Sequence, residues 1–263
     1  MFNFCSLYSG SSGNSLFIQS EKTNILVDAG ESARKIENAL SSINVEAKNL
    51  DAILVTHEHI DHVKSLGTLA KKYNIPVYAT KETWEAMPDQ LDKIDSSLQK
   101  FYIPSEQFKI GDLKINPFST SHDAANPCGF SIICNDKQMS IATDLGYVSK
   151  EVFDALENSS FILLESNYDP EILKFSRYPY PLKRRIAGEY GHLSNGDAAK
   201  LVSKLAQKNL HTVMLGHLSK ENNFPELAYK TVAEELMNAK IDTSKFNLSV
   251  ASRTDPSKII KLD

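Results

Sequence analysis

Within six residues, His57-Glu58-His59-Ile60-Asp61-His62, the chain offers three imidazoles and one carboxylate that can ligate first-row metals. The apolar run ending at Thr56 reads as a short buried strand, and apolar spacing over residues 63–73 predicts a helix. The ligands then fall on a strand-to-helix loop, where functional groups are commonly placed. In a turn, His57 and His59 can point one way while Asp61 and His62 point another, which suits two adjacent cations. That arrangement leaves both cations short of ligands. His122, after an apolar stretch, can complete the first. Asp144, ending the strand Ile141-Ala142-Thr143, can bridge the pair and offset their repulsion. His217, at another strand end, can complete the second. Histidine and carboxylate donors suit two divalent ions per chain, as zinc, manganese or iron.

Alternating short strands and helices must position these groups. Strands are expected around residues 4–8, 16–19, 25–28 and 76–80, and again around 108–110, 113–116, 130–133, 140–144, 161–165, 211–215 and 246–251. Helices are expected over 33–40, 63–73, 81–87, 198–207 and 225–237, the fourth capped by Ser194 and the last opening at Pro225. Both halves alternate in this way, which implies two sheets with helices packed outside. The 263 residues are 41% hydrophobic and 24% charged, enough for a sizeable core. A net charge of −4 gives no global pull toward nucleic acid or anionic membrane, so any such surface must be local. No stretch approaches the ~20 apolar residues of a membrane span. Three cysteines without a CxxC pair read as thiols in a reducing compartment. A soluble, cytoplasmic protein is expected.

The ligand order His57, His59, Asp61, His62, His122, Asp144, His217 resembles the metallo-β-lactamase superfamily across most of the chain. The resemblance implies an α/β fold, an αββα sandwich of two mixed sheets with helices on the outer faces, formed by residues 1–263 as a single domain. It also implies that His57, His59 and His122 hold one ion, that Asp61, His62 and His217 hold the other, and that Asp144 bridges them. Zinc β-lactamases generally carry cysteine where this chain has Asp144, which argues against a lactamase.

Residues 188–199, with Gly191-His192-Leu193-Ser194-Asn195 at their centre, resemble the loop of RNase Z-like phosphodiesterases in which a histidine protonates the leaving alcohol. His192 matches that histidine, and Glu165 matches an upstream acidic residue able to orient it. The interval from Asp123 to Thr143 is too short for the RNase Z exosite arm. The interval from Leu145 to Gly191 cannot hold a β-CASP insertion. Together with Ser9-Gly10-Ser11-Ser12-Gly13-Asn14-Ser15 and Gly216-His217-Leu218-Ser219, the late loop is similar to the YycJ/WalJ family. That similarity implies a 5′-to-3′ exonuclease on double-stranded DNA. A hydroxide held between the two ions would be the nucleophile, Asp61 would position it, and His192 would be the general acid.

Candidate phosphate contacts are Ser11, Ser12 and Asn14 in the Ser/Gly run, with Ser194 and Asn195 in the late loop. Lys183, Arg184 and Arg185 belong to residues 174–185, which mix five basic residues with three aromatics. Two rival readings are a hydrolase of small thioesters, lactones or cyclic phosphodiesters, and a noncatalytic binding protein; the full ligand set argues against the latter.

Overall fold

The computed structural model describes residues 1–87, 94–208 and 210–262. Two seven-stranded sheets carry the fold. The first runs in the order β14 (Ile260–Lys261), β1 (Asn3–Tyr8), β2 (Ser15–Gln19), β3 (Asn24–Val27), β4 (Ala52–Leu54), β5 (Val77–Ala79), β6 (Gln99–Phe101). The second runs β13 (Asn247–Val250), β12 (Thr212–Gly216), β11 (Phe161–Glu165), β10 (Lys137–Ala142), β9 (Cys128–Cys134), β8 (Leu113–Ser119), β7 (Phe108–Ile110). Each sheet is antiparallel through its first strands in chain order and parallel from β3 to β6 or from β10 to β13.

The inner strands, such as β1, β3, β4, β11 and β12, are buried on both faces, which is why they read as near-continuous apolar runs. Their two-residue period nonetheless sorts the side chains. Phe161 and Leu163 face the core between the sheets with Phe4, Ile18, Ile25, Val27 and Phe130. Their neighbours Ile162 and Leu164 face outward, against helices α5 (Lys150–Leu156), α8 (Asn195–Ala206) and α9 (Pro225–Asn238). On the other side, Leu26 and Ile53 meet helices α1 (Ala33–Ser42) and α3 (Leu66–Tyr73). The layers are therefore αββα, as the sequence resemblance implies.

The continuous helix expected over residues 63–73 is broken. A one-turn helix α2 (Ile60–Val63) ends before Ser65, whose N–H bonds Ala29 O at 2.9 Å, and α3 begins afresh at Leu66. Among the described residues there are three further short helices, α4 (Lys81–Ala86), α6 (Pro170–Phe175) and α7 (Tyr180–Ile186). Among the described residues no helix is long and apolar enough to cross a membrane.

Candidate metal centre and active site

The site gathers at the carboxyl ends of the parallel strands of both sheets, the usual place for ligands in such sheets. Three of its residues, Asp28, Asp144 and His217, turn sharply off strand ends with φ of 64°, 56° and 53°. This left-handed backbone is uncommon outside glycine, and such strain collects at functional sites. The metal-ligand motif is cradled from below. Ala29 N donates to His62 O at 2.7 Å and Asn14 N to Asp61 O at 2.8 Å. Gly30 passes so close that a Cβ there would lie 1.6 Å from Asp61 O, so no larger residue fits this approach. Asp61 and His62 consequently sit in the first turn of α2 rather than in an open loop.

The structure brings the seven proposed ligands together. His57, His59 and His122 form one cluster and Asp61, His62 and His217 another, with ligand atoms in each within 4.8 Å of one another. Asp144 lies between them: its Oδ2 is 3.3 Å from His62 Nε2, and its Oδ1 is 3.7 Å from His122 Nε2 and 3.3 Å from His217 Nδ1. His57 Nε2, His217 Nε2 and Asp144 Oδ2 are buried without a hydrogen-bond partner. Leaving such atoms unsatisfied costs free energy, and divalent metal coordination would supply what they lack.

The outer partners determine which nitrogen faces the centre. His62 Nδ1 lies 2.8 Å from Asp28 Oδ2, His122 Nδ1 2.9 Å from Gly191 O, and His217 Nδ1 2.9 Å from Glu165 Oε1. Each of these oxygens can only accept, so each Nδ1 carries the proton. The Thr56 hydroxyl donates to Asp28 at 2.9 Å and so accepts from His57 Nδ1 at 3.0 Å. With Nδ1 committed in all four rings, Nε2 is the nitrogen each presents to the centre, the orienting arrangement of metal-binding histidines. Burial holds His57 well below its ordinary pKa, and the neighbouring histidines add to this. Burial opposes charging of His62 too, but Asp28, Asp61 and Asp144 outweigh it and push it up to about 9.

Glu165, fully buried, joins the metal cluster to His192. Its Oε1 accepts from His217 Nδ1 and, at 2.8 Å, from His192 Nδ1. Its Oε2 accepts the backbone N–H groups of Leu145 at 3.0 Å and Leu193 at 3.2 Å. Burial alone would raise its pKa, but these histidines hold the carboxyl far below the usual range. Burial likewise opposes charging of His192, and Glu165 overcomes it, raising that pKa. With Nδ1 committed to Glu165, Nε2 of this part-exposed ring is the nitrogen free to exchange a proton with a bound molecule.

Other sequence-derived candidates are placed less directly. Asn14 is at the centre: its Nδ2 lies 3.1 Å from His62 Nε2 and 3.4 Å from Asp61 Oδ2, while its Oδ1 accepts from Gly10 N. Ser11 and Ser12 are exposed in the adjoining turn. Ser194 caps α8, and its hydroxyl is taken up by Asp197. Asn195 is buried against Ser166 and Asn223. Both are thus spent on folding the His192 loop. Lys183 donates to the carbonyls of Lys174 and Ser176 at 2.7 Å. Arg184 is exposed, and Arg185 pairs with Asp123, whose Oδ1 is 3.4 Å from His122 Nε2. Sequence reasoning missed Asp28 and Thr56. The available signal was a third strand ending in a carboxylate followed within two residues by glycine, Asp28-Ala29-Gly30, which parallels Asp144-Leu145-Gly146.

An αββα sandwich whose strand ends collect five histidines and two aspartates around a pair of cation-sized clusters defines a metallo-hydrolase of the β-lactamase type. Residues 23–217 match the family model described as the β-lactamase superfamily domain. The chain is 42% identical over 242 residues to exodeoxyribonuclease WalJ of Streptococcus pneumoniae, covering 91% of this chain and 90% of that protein. It is 37% identical over 234 residues to exodeoxyribonuclease YycJ of Bacillus anthracis, with 89% of each covered. Among solved structures, zinc-bound PqqB from Methylobacterium extorquens superposes with a TM-score of 0.71 at 14% identity over the whole of both chains, a likeness of fold alone. The chain belongs to the β-lactamase superfamily and, within it, to the family of WalJ and YycJ.

Proposed function

We propose that this chain is a metal-dependent exodeoxyribonuclease that hydrolyses phosphodiester bonds from the 5′ ends of double-stranded DNA. The observation that carries the reading is the Glu165 carboxylate shared by His217 and His192, which sets a proton donor beside the metal cluster. A thioester expels a weakly basic thiolate and needs no such donor. A phosphodiester expels a sugar alkoxide, which does. The names of the WalJ and YycJ relatives support the same choice.

His57, His59, His122, Asp61, His62, His217 and Asp144 would hold two divalent cations, zinc, manganese or iron, which when bound would acidify a water and place positive charge over the phosphate. Asp61, itself held by Asn14 Nδ2 at 3.4 Å, would orient the attacking oxygen from the motif side. As that oxygen bonds to phosphorus, the bond from phosphorus to the sugar oxygen breaks, and His192 Nε2 gives its proton to the departing oxygen. Glu165 holds the imidazolium that waits to do so. The proton lost by the water passes to solvent, and His192 is recharged from there. The three buried, unpaired cysteines fit residence in the reducing cytoplasm.

The test is a duplex labelled at either the 5′ or the 3′ end, given to the manganese-loaded protein and to His192→Ala. Loss from 5′ ends is expected, with turnover of the variant lower by about 10²–10⁴-fold at unchanged metal content. A protein shown to hold two metals that leaves DNA intact would sink the exonuclease reading. Loss of metal from His192→Ala would sink the acid-only role.

A further inference from the structure

Resting on the exonuclease reading, we infer that the hollow between α6 and α7 is a nucleotide subsite that seats the base and phosphate on the leaving-oxygen side of the scissile bond. The hollow has a volume of about 570 Å³ and is walled by Tyr168, Leu173, Tyr178, Tyr180, Lys183 and Arg184. That size suits a single nucleotide. Its floor is apolar: the lining residues Tyr168 and Leu173 are buried in one cluster with Ile186, and Tyr178 packs on that cluster. Tyr180 at its rim is 72% exposed, an aromatic face that nothing in the fold covers.

Charge selects the occupant. Residues 174–185 carry five cations and no acid in a chain of net charge −4. Among the described residues no carboxylate lies within ion-pair distance of Arg177 or Arg184, so both are free to meet phosphates. Aromatic faces beside unpaired arginines are how single-stranded nucleic acid is held without sequence preference. The larger hollow of about 850 Å³ around Trp84 and Phe101 lacks this character, since Glu82 and Glu85 line it. The hollow of about 510 Å³ beside Tyr147 has Asp197 in its wall, and two of its three lysines are already paired, Lys150 with Asp154 and Lys200 with Asp197.

Position selects the side of the bond. The α6–α7 wall is tied directly to the His192 loop: His192 N donates to Ile186 O at 2.9 Å, Asn167 N to Leu193 O at 2.9 Å, and Tyr168 bridges Ser194. The next residue along α7 from Arg184, Arg185, reaches Asp123 beside the metal ligand His122. The subsite therefore adjoins the group that protonates the departing oxygen, and the nucleotide carrying that oxygen is its occupant.

The experiment measures KM for duplex DNA with Tyr180→Ala, Tyr180→Phe and Arg184→Ala, using substrates with one abasic residue at each of the first three positions from the cleaved end. Unfolding curves and metal content establish that each variant is folded and loaded. One abasic position is expected to raise the wild-type KM about tenfold, Tyr180→Ala to raise it equally on intact DNA and to be blind to that lesion, and Tyr180→Phe to behave as wild type. Arg184→Ala should lower the slope of log KM against log salt by about one. DNA cleavage with an unchanged Tyr180→Ala KM and a persisting abasic penalty overturns the subsite while leaving the exonuclease reading intact. No DNA cleavage by loaded wild-type protein overturns both.

Discussion

At the scale of single residues, the centre is built from groups that hold other groups. Asp28, buried beneath the cluster, accepts from Thr56 N, Thr56 Oγ1 and His62 Nδ1 and so orients two of the candidate ligand rings. Glu165 plays the same part for His217 and His192. Removing such partners typically costs 10–100-fold in metal affinity. Asp28→Asn keeps the shape but replaces one acceptor with an amide that cannot accept from His62 and Thr56 together. Its metal affinity should fall by about 10–100-fold, read by titration against a chelating dye, with little change in circular dichroism. Unchanged affinity would show that His62 is oriented without Asp28. The clustering of the candidate ligands was legible in sequence because histidines are rare and four of the seven candidates stand within six residues. Asp28 was not, because strand-end aspartates are common turn formers and only the register of β3 against β4 brings this one under His62.

At the scale of elements, legibility followed burial. Strands such as β11 and β12, with every position or nearly every position buried, stand out as apolar runs, and α8 announces itself by a capping serine and an apolar face. Edge strand β6, Gln-Lys-Phe, is largely exposed and carries no pattern to read. Helices α6 and α7 bury only Leu173 and Ile186 between them, so their basic and aromatic residues obscure any helical period. Helix α1 shows a contact that depends on pH. Glu31, buried just before it, accepts from Ser32 N at 3.1 Å and from Lys35 Nζ at 2.9 Å. Burial opposes its ionisation, but the Lys35 and Ser32 hydrogen bonds win and lower its pKa from the ordinary 4.5. A lowered pKa means the folded state binds the proton less tightly than the unfolded chain. The stabilisation is then complete above the ordinary value and disappears as pH falls through the lower, folded one. Glu31→Gln should therefore cost about 0.5–1 kcal/mol at pH 7 in urea titrations and converge on wild type in acid below the folded pKa. A cost that persists unchanged into acid would assign the effect to packing.

At the scale of the whole molecule, the two sheets repeat one plan, antiparallel strands followed by four in parallel, and face each other across a single apolar core. The parallel ends of both sheets open on the same edge. There β3 and β4 deliver Asp28 and His57, while β10, β11 and β12 deliver Asp144, Glu165 and His217. This separates the site from the material that stabilises the fold. The core between the sheets, including the Phe4 and Phe161 rings at 4.6 Å, and the two helix-covered faces contain no ligand. The candidate ligands would be a liability without cations, since buried His57 Nε2, His217 Nε2 and Asp144 Oδ2 lack hydrogen-bond partners. Cations binding only the folded state add stability by mass action, about 4 kcal/mol at a thousandfold excess over Kd. For a chain of this size that corresponds to a Tm shift on the order of 10 °C. Chelation is thus expected to lower Tm by about that amount and abolish turnover while leaving the far-ultraviolet spectrum of the sandwich in place, and added manganese should restore both. An unchanged Tm after demonstrated metal removal would mean that the emptied ligands find other partners. Complete unfolding on chelation would mean that the cores cannot hold the sheets together without the metal centre between their edges.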